Sequence, residues 1–595
     1  MCFTFYIAFI IRFDEKLPEY IHIYFKTLPF LIAIVFGTFI PMRQLSGMWR
    51  YYSIHDVWKT VLACFIAILI FSVLIKGEVF YKGSFSRTVL IAEFILLTGW
   101  CTGSRAFIRA FREKRRSYIL KRREYISRVM ICGSSLEADT LIRSCSKHFN
   151  GLFCGVFTEE TDLAGRSIHG VPIYTGTYES LIQKVKNWDI TDLHLLDPYN
   201  KPQAINDLLD LAAKAGISPK FRTIPSLKDL ASGEISTSMI RDVDVIDLLG
   251  RDEAQLDRTK TSVLIKGHKI LITGAGGSIG SELCRQILSY EPKLIVLFES
   301  SEIALYTIEK ELRGQYPKAI IVPIAGDIRY KEEIKAAINK VNGIDLIYHA
   351  AAYKHVPLME SNPSAAFRNN VIGTSNLANI AEEMKVKRFV MISSDKAVRP
   401  SNIMGSTKRI AERILQEREF KGTEFVAVRF GNVLGSSGSV IPLFKKQIKE
   451  GKSITVTSPE MRRFFMTIPE AVDLVLMSGA IAQPSQIMVL EMGEAVKIYD
   501  LAVRLIELSG LTPHEDIKIE FCGLRPGEKE YEEILTEDEN VIETEYDRIW
   551  LMQKDQNKQR GQSIDLNRIK ELISINDLQE FKNLIHEYVP ENTIK

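Results

Sequence analysis

Residues 268–288, with the sequence HKILITGAGGSIGSELCRQIL, constrain the fold of this chain more than any other stretch. An apolar run ends at a glycine turn with the spacing Gly-x-x-Gly-x-x-Gly, and an amphipathic pattern of helical period follows. Such glycines let the backbone approach a pyrophosphate, which then lies at the N-terminus of the next helix. The pattern predicts a strand, a turn and a helix that together bind a dinucleotide. The residues expected at the cofactor are Gly274, Gly277, Ser278, Ile279 and Gly280.

The ends of three further apolar runs complete this predicted cofactor site. Glu299 ends the run KLIVLFE, where a carboxylate can hydrogen-bond the ribose hydroxyls and repel a 2′-phosphate, so it favours NAD over NADP. Asp327 ends the third run and is placed to meet the adenine, and a turn of three alanines follows the fourth run. Together these features favour NAD binding over a purely structural glycine turn. The residues expected here are Glu299, Asp327, Ile328, Ala350, Ala351 and Ala352.

Three apolar runs near the N-terminus predict helices that span a membrane. They cover residues 27–42, 61–75 and 88–103, and with their flanking residues they approach the ~20 residues needed to cross hydrocarbon. The opening stretch CFTFYIAFIIRF looks like the second half of another span. We therefore expect residues 1–104 to form four transmembrane spans, the first of them truncated. Buried helices of a soluble domain are the alternative, but so many uncharged runs in one short region would be unusual in water.

A basic segment follows the last apolar run. Residues 104–128 carry ten Lys or Arg against two Glu. Positive charge beside a span marks the cytoplasmic side, where it also meets anionic lipid headgroups. We therefore expect a cytoplasmic linker at residues 105–128 and a multi-pass protein of the inner (cytoplasmic) membrane whose catalytic domains are cytoplasmic. Membrane lipid is then a partner, whereas a net charge of +3 argues against a nucleic-acid partner.

The region 129–250 shows short apolar runs that alternate with helical patterns, which predicts a Rossmann-like domain with a parallel sheet. Its first turn, GSSLEA, has one glycine followed by Ser134, Ser135 and Glu137. A nucleotide site would require further glycines in this turn. We therefore expect a structural or docking role for this domain rather than nucleotide binding.

The stretch SSDKAVRPSNIMGSTKR, residues 393–409, resembles the catalytic segment of short-chain dehydrogenases with one residue changed. Those enzymes carry a tyrosine four residues before a lysine, and the phenol exchanges the proton. Lys408 is present here, but Met404 occupies the tyrosine position, and a thioether does not serve as a general acid or base. Either the chain lacks activity, or the proton chemistry comes from other residues of the same stretch.

Four motifs make the resemblance more specific: TGAGGSIGSEL, DKAVRPSNIMGSTKR, RFGNVLGSSGSV and RPGEK. Together with the N-terminal runs and the middle domain, they are most similar to membrane-bound UDP-N-acetylglucosamine 4,6-dehydratases of the CapD type. That group belongs to the extended short-chain dehydrogenase/reductase superfamily, and a methionine in the tyrosine position is usual in it. The resemblance implies an α/β fold in which transmembrane helices precede two Rossmann-like parallel-sheet domains. The second of these, residues 260–595, would be an NAD-binding nucleotide-sugar dehydratase domain.

The resemblance also implies roles for the residues that follow the apolar strand KRFVMIS. Asp395 would protonate the C6 oxygen as water leaves, Lys396 would take the C5 proton, and Ser394 would bond the C4 oxygen. Adjacent acid and base groups of this kind can tune each other's pKa. Lys408 would bind the nicotinamide ribose, and Met404 would mark where direct proton acceptance by tyrosine has been given up. A surface turn is the alternative for Ser-Asp-Lys alone, but the strand before it and the Met-x-x-x-Lys after it favour a catalytic site.

Basic and amide side chains further along the chain are the predicted substrate-binding residues. By resemblance, Asn432, Arg463 and Arg525 reach the UDP diphosphate, and an arginine fork suits phosphate oxygens because it meets them bidentately. Lys354 and His355 follow the fourth strand and could reach the sugar or the phosphate, although single basic residues are more often solvated surface charges.

The implied reaction converts UDP-N-acetylglucosamine into a UDP-2-acetamido-2,6-dideoxy-4-hexulose, with retention at C5, for surface polysaccharide or glycoprotein glycan synthesis. A homo-oligomer is expected, but no metal site, because the eight cysteines are scattered without a CxxC pair. Two alternatives stay open, a nucleotide-sugar epimerase on the same scaffold and a non-catalytic NAD-binding membrane scaffold. The pair Asp395 and Lys396 argues against an epimerase, whereas Met404 alone favours the scaffold.

Overall fold

The computed structural model describes residues 1–42, 54–79, 85–120, 127–145, 151–224, 239–248, 257–535, 541–553 and 561–594. Residues 121–126 of the predicted linker and 225–238 of the predicted middle domain lie outside the described residues. The chain divides into two compact units. The first comprises Met1–Val129, Ser146–Gly155 and Gly165–Ile173, and the second comprises Met130–Cys145, Val156–Ala164 and Tyr174–Lys595.

The N-terminal region is helical. Its helices are α1 (Cys2–Phe13), α2 (Leu17–Phe39), α3 (Ile54–Lys76) and α4 (Arg87–Leu120). Asp14, with a positive φ of 41°, ends α1 and lets α2 fold back, so that the rings of Phe5 and Tyr24 stack with 5.5 Å between their centroids. Two helical stretches, Cys2–Phe39 and Val57–Lys76, are long and apolar enough to cross a membrane. They contain most or all of the first two predicted runs.

The third predicted run, residues 88–103, lies in α4. Among the described residues, α4 is not one of the helices apolar enough to count as a membrane-crossing candidate. Its Glu93 carboxylate is buried and accepts a hydrogen bond of 2.9 Å from Thr4 of α1. The predicted boundary at residue 104 falls inside α4, which continues to Leu120. The multi-pass topology therefore stays a prediction.

The following region contains one sheet with interspersed helices. Its strands are β1 (Ser127–Cys132), β2 (Gly151–Thr158), β3 (Ser167–Ile168), β4 (Val171–Thr175), β5 (Asp192–Leu195), β6 (Lys220–Thr223) and β7 (Arg241–Asp242). Its helices are α5 (Ser135–Cys145), α6 (Tyr178–Asn187) and α7 (Pro202–Lys214). The strand order is β3-β4-β2-β1-β5-β6-β7, with β5 and β6 parallel and β7 antiparallel to β6. This alternation of strands and helices agrees with the predicted Rossmann-like domain.

The last part of the chain, from residue 257, contains the largest sheet. The strands are β8 (Lys269–Thr273), β9 (Leu294–Glu299), β10 (Ile321–Ala325), β11 (Leu346–His349), β12 (Arg388–Ile392), β13 (Glu424–Arg429), β14 (Asn432–Val433), β15 (Ile454–Val456), β16 (Arg462–Arg463), β17 (Phe465–Met466), β18 (Gln486–Leu490), β19 (Val496–Lys497), β20 (Ile519–Phe521), β21 (Val541–Glu543) and β22 (Ile549–Met552). Nine of them form one sheet in the order β10-β9-β8-β11-β12-β13-β18-β22-β21. The first seven strands are parallel to one another. Strand β22 is antiparallel to β18, and β21 is antiparallel to β22.

Helices connect these strands. They are α8 (Thr259–Ile265), α9 (Ser278–Ser289), α10 (Glu302–Gln315), α11 (Lys331–Lys340), α12 (Val356–Glu360), α13 (Pro363–Ala366), a π-helical turn (Phe367–Gly373), α14 (Thr374–Glu383), α15 (Ile403–Gln416), α16 (Val440–Lys449), α17 (Ile468–Ile481), α18 (Ile498–Leu508), α19 (Leu566–Ile575) and α20 (Leu578–Tyr588). Both faces of the sheet carry an apolar core, since Ile270 and Ile272 of β8 pack in one cluster and Leu271 packs in the other. A parallel strand covered on both faces has consecutive apolar residues, as Ile270, Leu271 and Ile272 of β8 show.

The glycine turn between β8 and α9 is the start of a doubly wound sheet, and the predicted strand, turn and helix are confirmed. Gly274 has a φ of +66°, and a Cβ there would lie 2.8 Å from the backbone of Ala351. Glycine is therefore required by both the conformation and the close approach. The strand order reverses between β8 and β11, and ligands of such sheets bind outside the strand ends at this switch point.

A buried ion pair joins α15 to two strand ends. The side chains of Glu412 and Arg429 are fully buried, and two hydrogen bonds of 2.7 Å connect the guanidinium to the carboxylate. Ser393, which directly follows β12, donates to the same carboxylate at 2.6 Å. Burial alone would raise the pKa of Glu412, but the Arg429 charge outweighs it and lowers the pKa. Glu412 is thus a buried anion that holds β12, β13 and α15 together.

We predict that Glu412→Gln destabilises the protein, because it removes a fully buried negative charge that pairs with Arg429 and accepts a hydrogen bond from Ser393. Removing one partner of a buried pair costs about 3–5 kcal/mol. The matched control is Glu309→Gln, which removes a pair with Arg313 on the surface of α10, 2.9 Å apart, and should cost about 0.3–0.5 kcal/mol. Calorimetry of the full chain measures both, and equal losses of the thermal midpoint would contradict the assignment.

Candidate active site

A cleft of about 270 Å³ lies where β8, β9, β10 and β11 end. It is lined by most of the residues predicted to bind the cofactor, namely Gly274, Gly277, Glu299, Asp327, Ile328, Ala350, Ala351 and Ala352. Of the other four, Ser278, Ile279 and Gly280 form the first turn of α9, and Lys408 lies on α15 and is not one of the lining residues. The structure therefore gathers the predicted cofactor residues at the switch point of the sheet.

Two carboxylates of this cleft are held by neighbouring groups. Glu299 accepts hydrogen bonds of 3.0 Å from the backbone amides of Gly276 and Ser301, which fix it at the rim of the glycine turn. Asp327 accepts a hydrogen bond of 2.7 Å from Arg329. Burial would raise the pKa of Asp327, but the Arg329 guanidinium outweighs burial and lowers it. Both groups are thus placed as fixed acceptors beside the cleft.

The Ser-Asp-Lys turn follows β12 at the same edge of the sheet. The Ser394 hydroxyl donates to Asp395 at 2.7 Å and accepts from the Lys396 amide at 3.3 Å, so it caps the short helical turn of residues 395–397. A Cβ at Gly405 would lie 2.1 Å from the Lys396 carbonyl oxygen, so α15 begins in direct backbone contact with this turn. The turn is therefore fixed from both sides.

Lys396 lies between two carboxylates. Its amine donates to Asp395 and to the Asn432 amide oxygen at 3.1 Å each, and it lies 2.9 Å from a Glu532 oxygen. Glu532 in turn accepts 2.7 Å from the Asn432 amide nitrogen and lies 3.2 Å from Arg463. The Asp395 side chain has no exposed surface, and only 7% of the Glu532 side chain is exposed. These residues form one buried cluster of acids and bases.

The electrostatics of the cluster separate the two acids. Burial, reinforced by the Glu532 charge, raises the pKa of Asp395 to about 7, although Lys396 opposes the shift. Burial would raise the pKa of Glu532 as well, but Lys396 and Arg463 outweigh burial and lower it. Burial would lower the pKa of Lys396, but the two carboxylates raise it. Near neutral pH the site therefore offers a carboxylic acid, a carboxylate and an ammonium group within hydrogen-bond reach.

Met404 and Lys408 lie on α15 in different surroundings. Met404 is 2% exposed and belongs to an apolar cluster with Val356 and Phe367, so its side chain is part of the core. The Lys408 amine donates to the Ile392 carbonyl at 2.9 Å, at the end of β12, and burial lowers its pKa to about 8. The structure thus explains the methionine by packing, and it places Lys408 beside the strand that leads into the Ser-Asp-Lys turn.

A second cavity, of about 260 Å³, adjoins the Ser-Asp-Lys turn. Seven predicted residues line it, namely Lys354, His355, Asp395, Lys396, Asn432, Arg463 and Arg525. The structure therefore brings the predicted acid, the predicted base and the predicted substrate-binding residues to one cavity. Ser394 contacts Asp395 directly but is not one of the lining residues.

The predicted diphosphate residues differ in what they already bind. Arg463 donates to Glu530 and Lys529 backbone oxygens at 3.0 and 2.7 Å, in addition to its contact with Glu532. Among the described residues, none accepts a hydrogen bond from the Arg525 guanidinium, which lines the cavity. Arg525 is therefore the better placed of the two arginines to meet an incoming anion, whereas Arg463 fixes the segment that carries Glu532.

Lys354 and His355 lie at the opening of α12 and line the same cavity. Burial, with help from the Lys396 charge, lowers the pKa of Lys354. Burial and the Lys354 charge likewise lower the pKa of His355. The ring of His355 packs on Gly438, where an added Cβ would lie 2.5 Å away. Both residues are thus partly withdrawn from water beside the catalytic cluster.

Sequence reasoning missed Glu532, the carboxylate at the centre of the cluster. It also missed three further charged residues that line the cavity, Glu528, Lys529 and Glu533. Arg399, outside the lining, donates to Glu533 at 3.1 Å, and Lys529 lies 3.5 Å from the same carboxylate. Lys529, Glu532 and Glu533 belong to the stretch RPGEKEYEE, whose density of charge after the RPGEK motif was the available signal. The pattern could not indicate which of its acids faces Lys396.

In the middle domain, a carboxylate of the chain itself lies at the N-terminus of helix α5. At the start of α5, Glu160 accepts hydrogen bonds from the amide and the hydroxyl of Ser135, at 3.0 and 2.7 Å. In a nucleotide-binding domain a phosphate takes this position at the helix N-terminus. A carboxylate of the chain already accepts from these donors, and the structural or docking role of the domain stays a prediction.

Comparison with known proteins identifies the family. A family model described as "Polysaccharide biosynthesis protein" matches residues 270–554, and one described as "CoA-binding domain" matches residues 47–221. The chain is 40% identical over 510 residues to the capsular polysaccharide biosynthesis protein CapD of Staphylococcus aureus. The aligned residues cover 84% of this chain and 83% of that protein. The chain therefore belongs to the polysaccharide biosynthesis protein family.

Relatives of two enzyme classes match the catalytic region. A UDP-N-acetylglucosamine 4,6-dehydratase (inverting) of Campylobacter jejuni is 33% identical over 284 residues, 47% of this chain and 80% of that enzyme. A UDP-glucose 4-epimerase of Rickettsia canadensis is 34% identical over 278 residues, 45% of this chain and 78% of that enzyme. Identity alone does not separate a dehydratase from an epimerase, so the side chains of the site must do so.

We predict that Met404→Tyr does not raise turnover of a nucleotide sugar and lowers stability. The phenol would enter an apolar cluster that is already packed, and such overpacking costs about 1–3 kcal/mol. Met404→Leu is the matched control, because a swap that conserves volume costs less than about 1.5 kcal/mol. Thermal melting and product formation measure both variants. A large gain in turnover with tyrosine would show that methionine is a defect of the active site.

Proposed function

We propose that the chain is an NAD-dependent nucleotide-sugar 4,6-dehydratase, a hydro-lyase that acts on UDP-N-acetylglucosamine. The observation that carries the proposal is the buried contact of 3.1 Å between Asp395 and Lys396, in a cavity next to the cofactor cleft. A 4,6-dehydration requires an acid for the C6 oxygen and a base for the C5 proton, and this pair supplies both types of group. The product would be a UDP-2-acetamido-2,6-dideoxy-4-hexulose for surface polysaccharide or glycoprotein glycans.

The residues of the first cleft fit NAD. The glycine turn opens α9, the alanine turn leaves room beside it, and Glu299 is held by backbone amides where a ribose hydroxyl could donate to it. The same carboxylate would repel a 2′-phosphate, which supports NAD over NADP. When bound, NAD would supply the reversible acceptance of a hydride from C4. Lys408 is the residue expected at the nicotinamide ribose.

The acid and base roles follow from the cluster. Asp395, whose pKa burial raises to about 7, can hold a proton near neutral pH and release it to the C6 oxygen. Transfer of the Lys396 ammonium proton to the Asp395 carboxylate, 3.1 Å away, yields the neutral amine that accepts the C5 proton and the acid that protonates the C6 oxygen. A C4 ketone acidifies the C5 proton, so an amine suffices as its acceptor. Ser394 would bond the C4 oxygen. Resemblance to the large membrane-bound group supports retention at C5.

Residues outside the cluster would hold the substrate and the enzyme in place. Arg525 would meet the UDP diphosphate, and Lys354 and His355 would approach the sugar or the phosphate. The apolar N-terminal helices support attachment to the inner membrane in a multi-pass arrangement with cytoplasmic catalytic domains and lipid contacts. A homo-oligomer is part of the same proposal.

A nucleotide-sugar epimerase is the second candidate, because the epimerase relative matches the catalytic region at similar identity. Incubation of the full chain in detergent with UDP-N-acetylglucosamine, followed by mass spectrometry, separates the two. The dehydratase gives a product lighter by one water, whereas an epimerase gives a product of unchanged mass. Unchanged mass with altered sugar stereochemistry would overturn the proposal.

We predict that Lys396→Ala still binds NAD and substrate and still forms enzyme-bound NADH, but releases no water. General acid–base groups contribute about 10²–10⁴-fold, so a loss of that order is expected. Asp395→Asn should fail at the same step, because it keeps the shape and removes the acid. Lys387→Ala is the control, since this exposed lysine pairs with Asp345 3.1 Å away. Loss of NADH formation in both catalytic variants would contradict their assignment to elimination.

Arg525→Ala is predicted to raise the KM for the nucleotide sugar while kcat changes little. A hydrogen bond to a charged group contributes about 1.5–3 kcal/mol, which corresponds to about 10- to 150-fold in affinity. Arg462→Ala is the matched control, because Arg462 is exposed in β16 and is not one of the residues that line the cavity. Steady-state kinetics measure the KM of both variants. An unchanged KM for Arg525→Ala would show that Arg525 does not bind the substrate.

A further inference from the structure

Glu532 gathers donors from three separate elements of the fold. Lys396 follows β12, Asn432 begins β14, and Arg463 ends β16, yet all three contact this one carboxylate at 2.7–3.2 Å. Glu532 itself lies on the segment after the RPGEK motif, so it connects that segment to the Ser-Asp-Lys turn. It binds these three donors while only 7% of its side chain is exposed.

A purely structural role does not account for the choice of donors. An anchor for Arg463 would need only the guanidinium, which already binds backbone oxygens of residues 529 and 530. Glu532 instead bridges to the amine of Lys396, the group proposed to take the substrate proton. The Asn432 amide holds both ends of this bridge, because its oxygen accepts from Lys396 and its nitrogen donates to Glu532.

We propose that Glu532 is a positioning residue for proton transfer: it fixes the Lys396 amine against Asp395 and determines how the proton is distributed between them. This inference rests on the proposed dehydratase function. Glu532 need not touch the sugar, since it acts through Lys396 and Asp395. The protons balance over a turnover: Lys396 returns the C5 proton to C5, the Asp395 proton leaves with the C6 hydroxyl as water, and the proton that the C4 hydroxyl loses on oxidation restores the one that the pair has given up.

Other charges near the cluster are cationic or paired. Lys354 and Arg463 face it, and both add positive potential that favours the Glu532 anion. Glu533, the next residue, faces Arg399 and Lys529 instead. It shares the segment, the cavity and the charge of Glu532, but it contacts Arg399 and Lys529 and not the Asp395–Lys396 pair. Glu533 is therefore the matched control.

The sign of the expected pH effect follows from Coulomb's law. The Glu532 charge raises the pKa of Asp395 and of Lys396, so its removal should lower both. An enzyme that needs protonated Asp395 loses activity as pH rises through the pKa of that acid. In Glu532→Gln the fall of activity at high pH should therefore begin at a lower pH. The expected displacement is about 1–3 pH units, the size that a neighbouring charge typically contributes to a pKa.

The experiment compares Glu532→Gln, Glu532→Asp and Glu533→Gln in the full chain. The first readout is the pH profile of water release. The second is the pH dependence of Lys396 acetylation by acetic anhydride, followed by mass spectrometry of the lysine, which requires no substrate. Glu532→Gln should shift both profiles to lower pH, and Glu533→Gln should leave both unchanged. Glu532→Asp keeps the charge but retracts the carboxylate, so both profiles should stay near the wild type while turnover falls up to about 100-fold.

Three outcomes decide the inference. Equal profiles for Glu532→Gln and the wild type would overturn it, as would wild-type turnover in Glu532→Asp. If Glu532→Gln fails to fold, judged by calorimetry, Glu532→Asp still tests positioning through its profile and its rate. If the wild type releases no water, the proposed function fails, whereas a shifted acetylation profile in Glu532→Gln would still support the control of Lys396 by Glu532.

Discussion

The buried Glu412 carboxylate holds the catalytic edge of the sheet in place. It binds Arg429 at the end of one central strand, Ser393 at the end of the next, and Arg409 on its own helix, at distances of 2.6–3.1 Å. Replacing a buried pair by apolar groups is often tolerated, but leaving one charge alone is costly. The contacts of Glu412 fix Ser393, and the Ser-Asp-Lys turn begins at the next residue.

Three buried acids in this domain behave differently because their neighbours differ. Glu412 has arginine partners that lower its pKa, and Glu532 has Lys396 and Arg463 that do the same. Asp395 has one cation but also a second carboxylate beside it, so burial prevails and its pKa rises. The pKa of the same functional group is thus lowered or raised according to how many positive charges face it, and the roles proposed for Glu532 and Asp395 depend on this difference.

Much of the fold was predictable because its signals are local. The strand, glycine turn and helix at 268–288 require one backbone geometry, and apolar runs covered on both faces identify parallel strands. The residues predicted to bind the cofactor lie close together because they follow neighbouring parallel strands, and these strands all end at one edge of the sheet. Glu532 was not predictable, since its contact with Lys396 joins residues far apart in sequence through a segment without regular structure. The predicted end of the transmembrane region at residue 104 is not the end of a helix. The apolar residues before it and the basic residues after it belong to one helix, Arg87–Leu120.

The backbone contact between Gly405 and Lys396 has a geometric consequence. With no room for even a methyl group between them, the start of α15 cannot slide along the turn, and the helix then carries Lys408 to a fixed position one turn further on. The distance between the two lysines is therefore set by main-chain contact rather than by side-chain packing. Glycine at position 405 therefore fixes, through the main chain, the spacing between the two lysines that we propose to act on the cofactor and on the substrate.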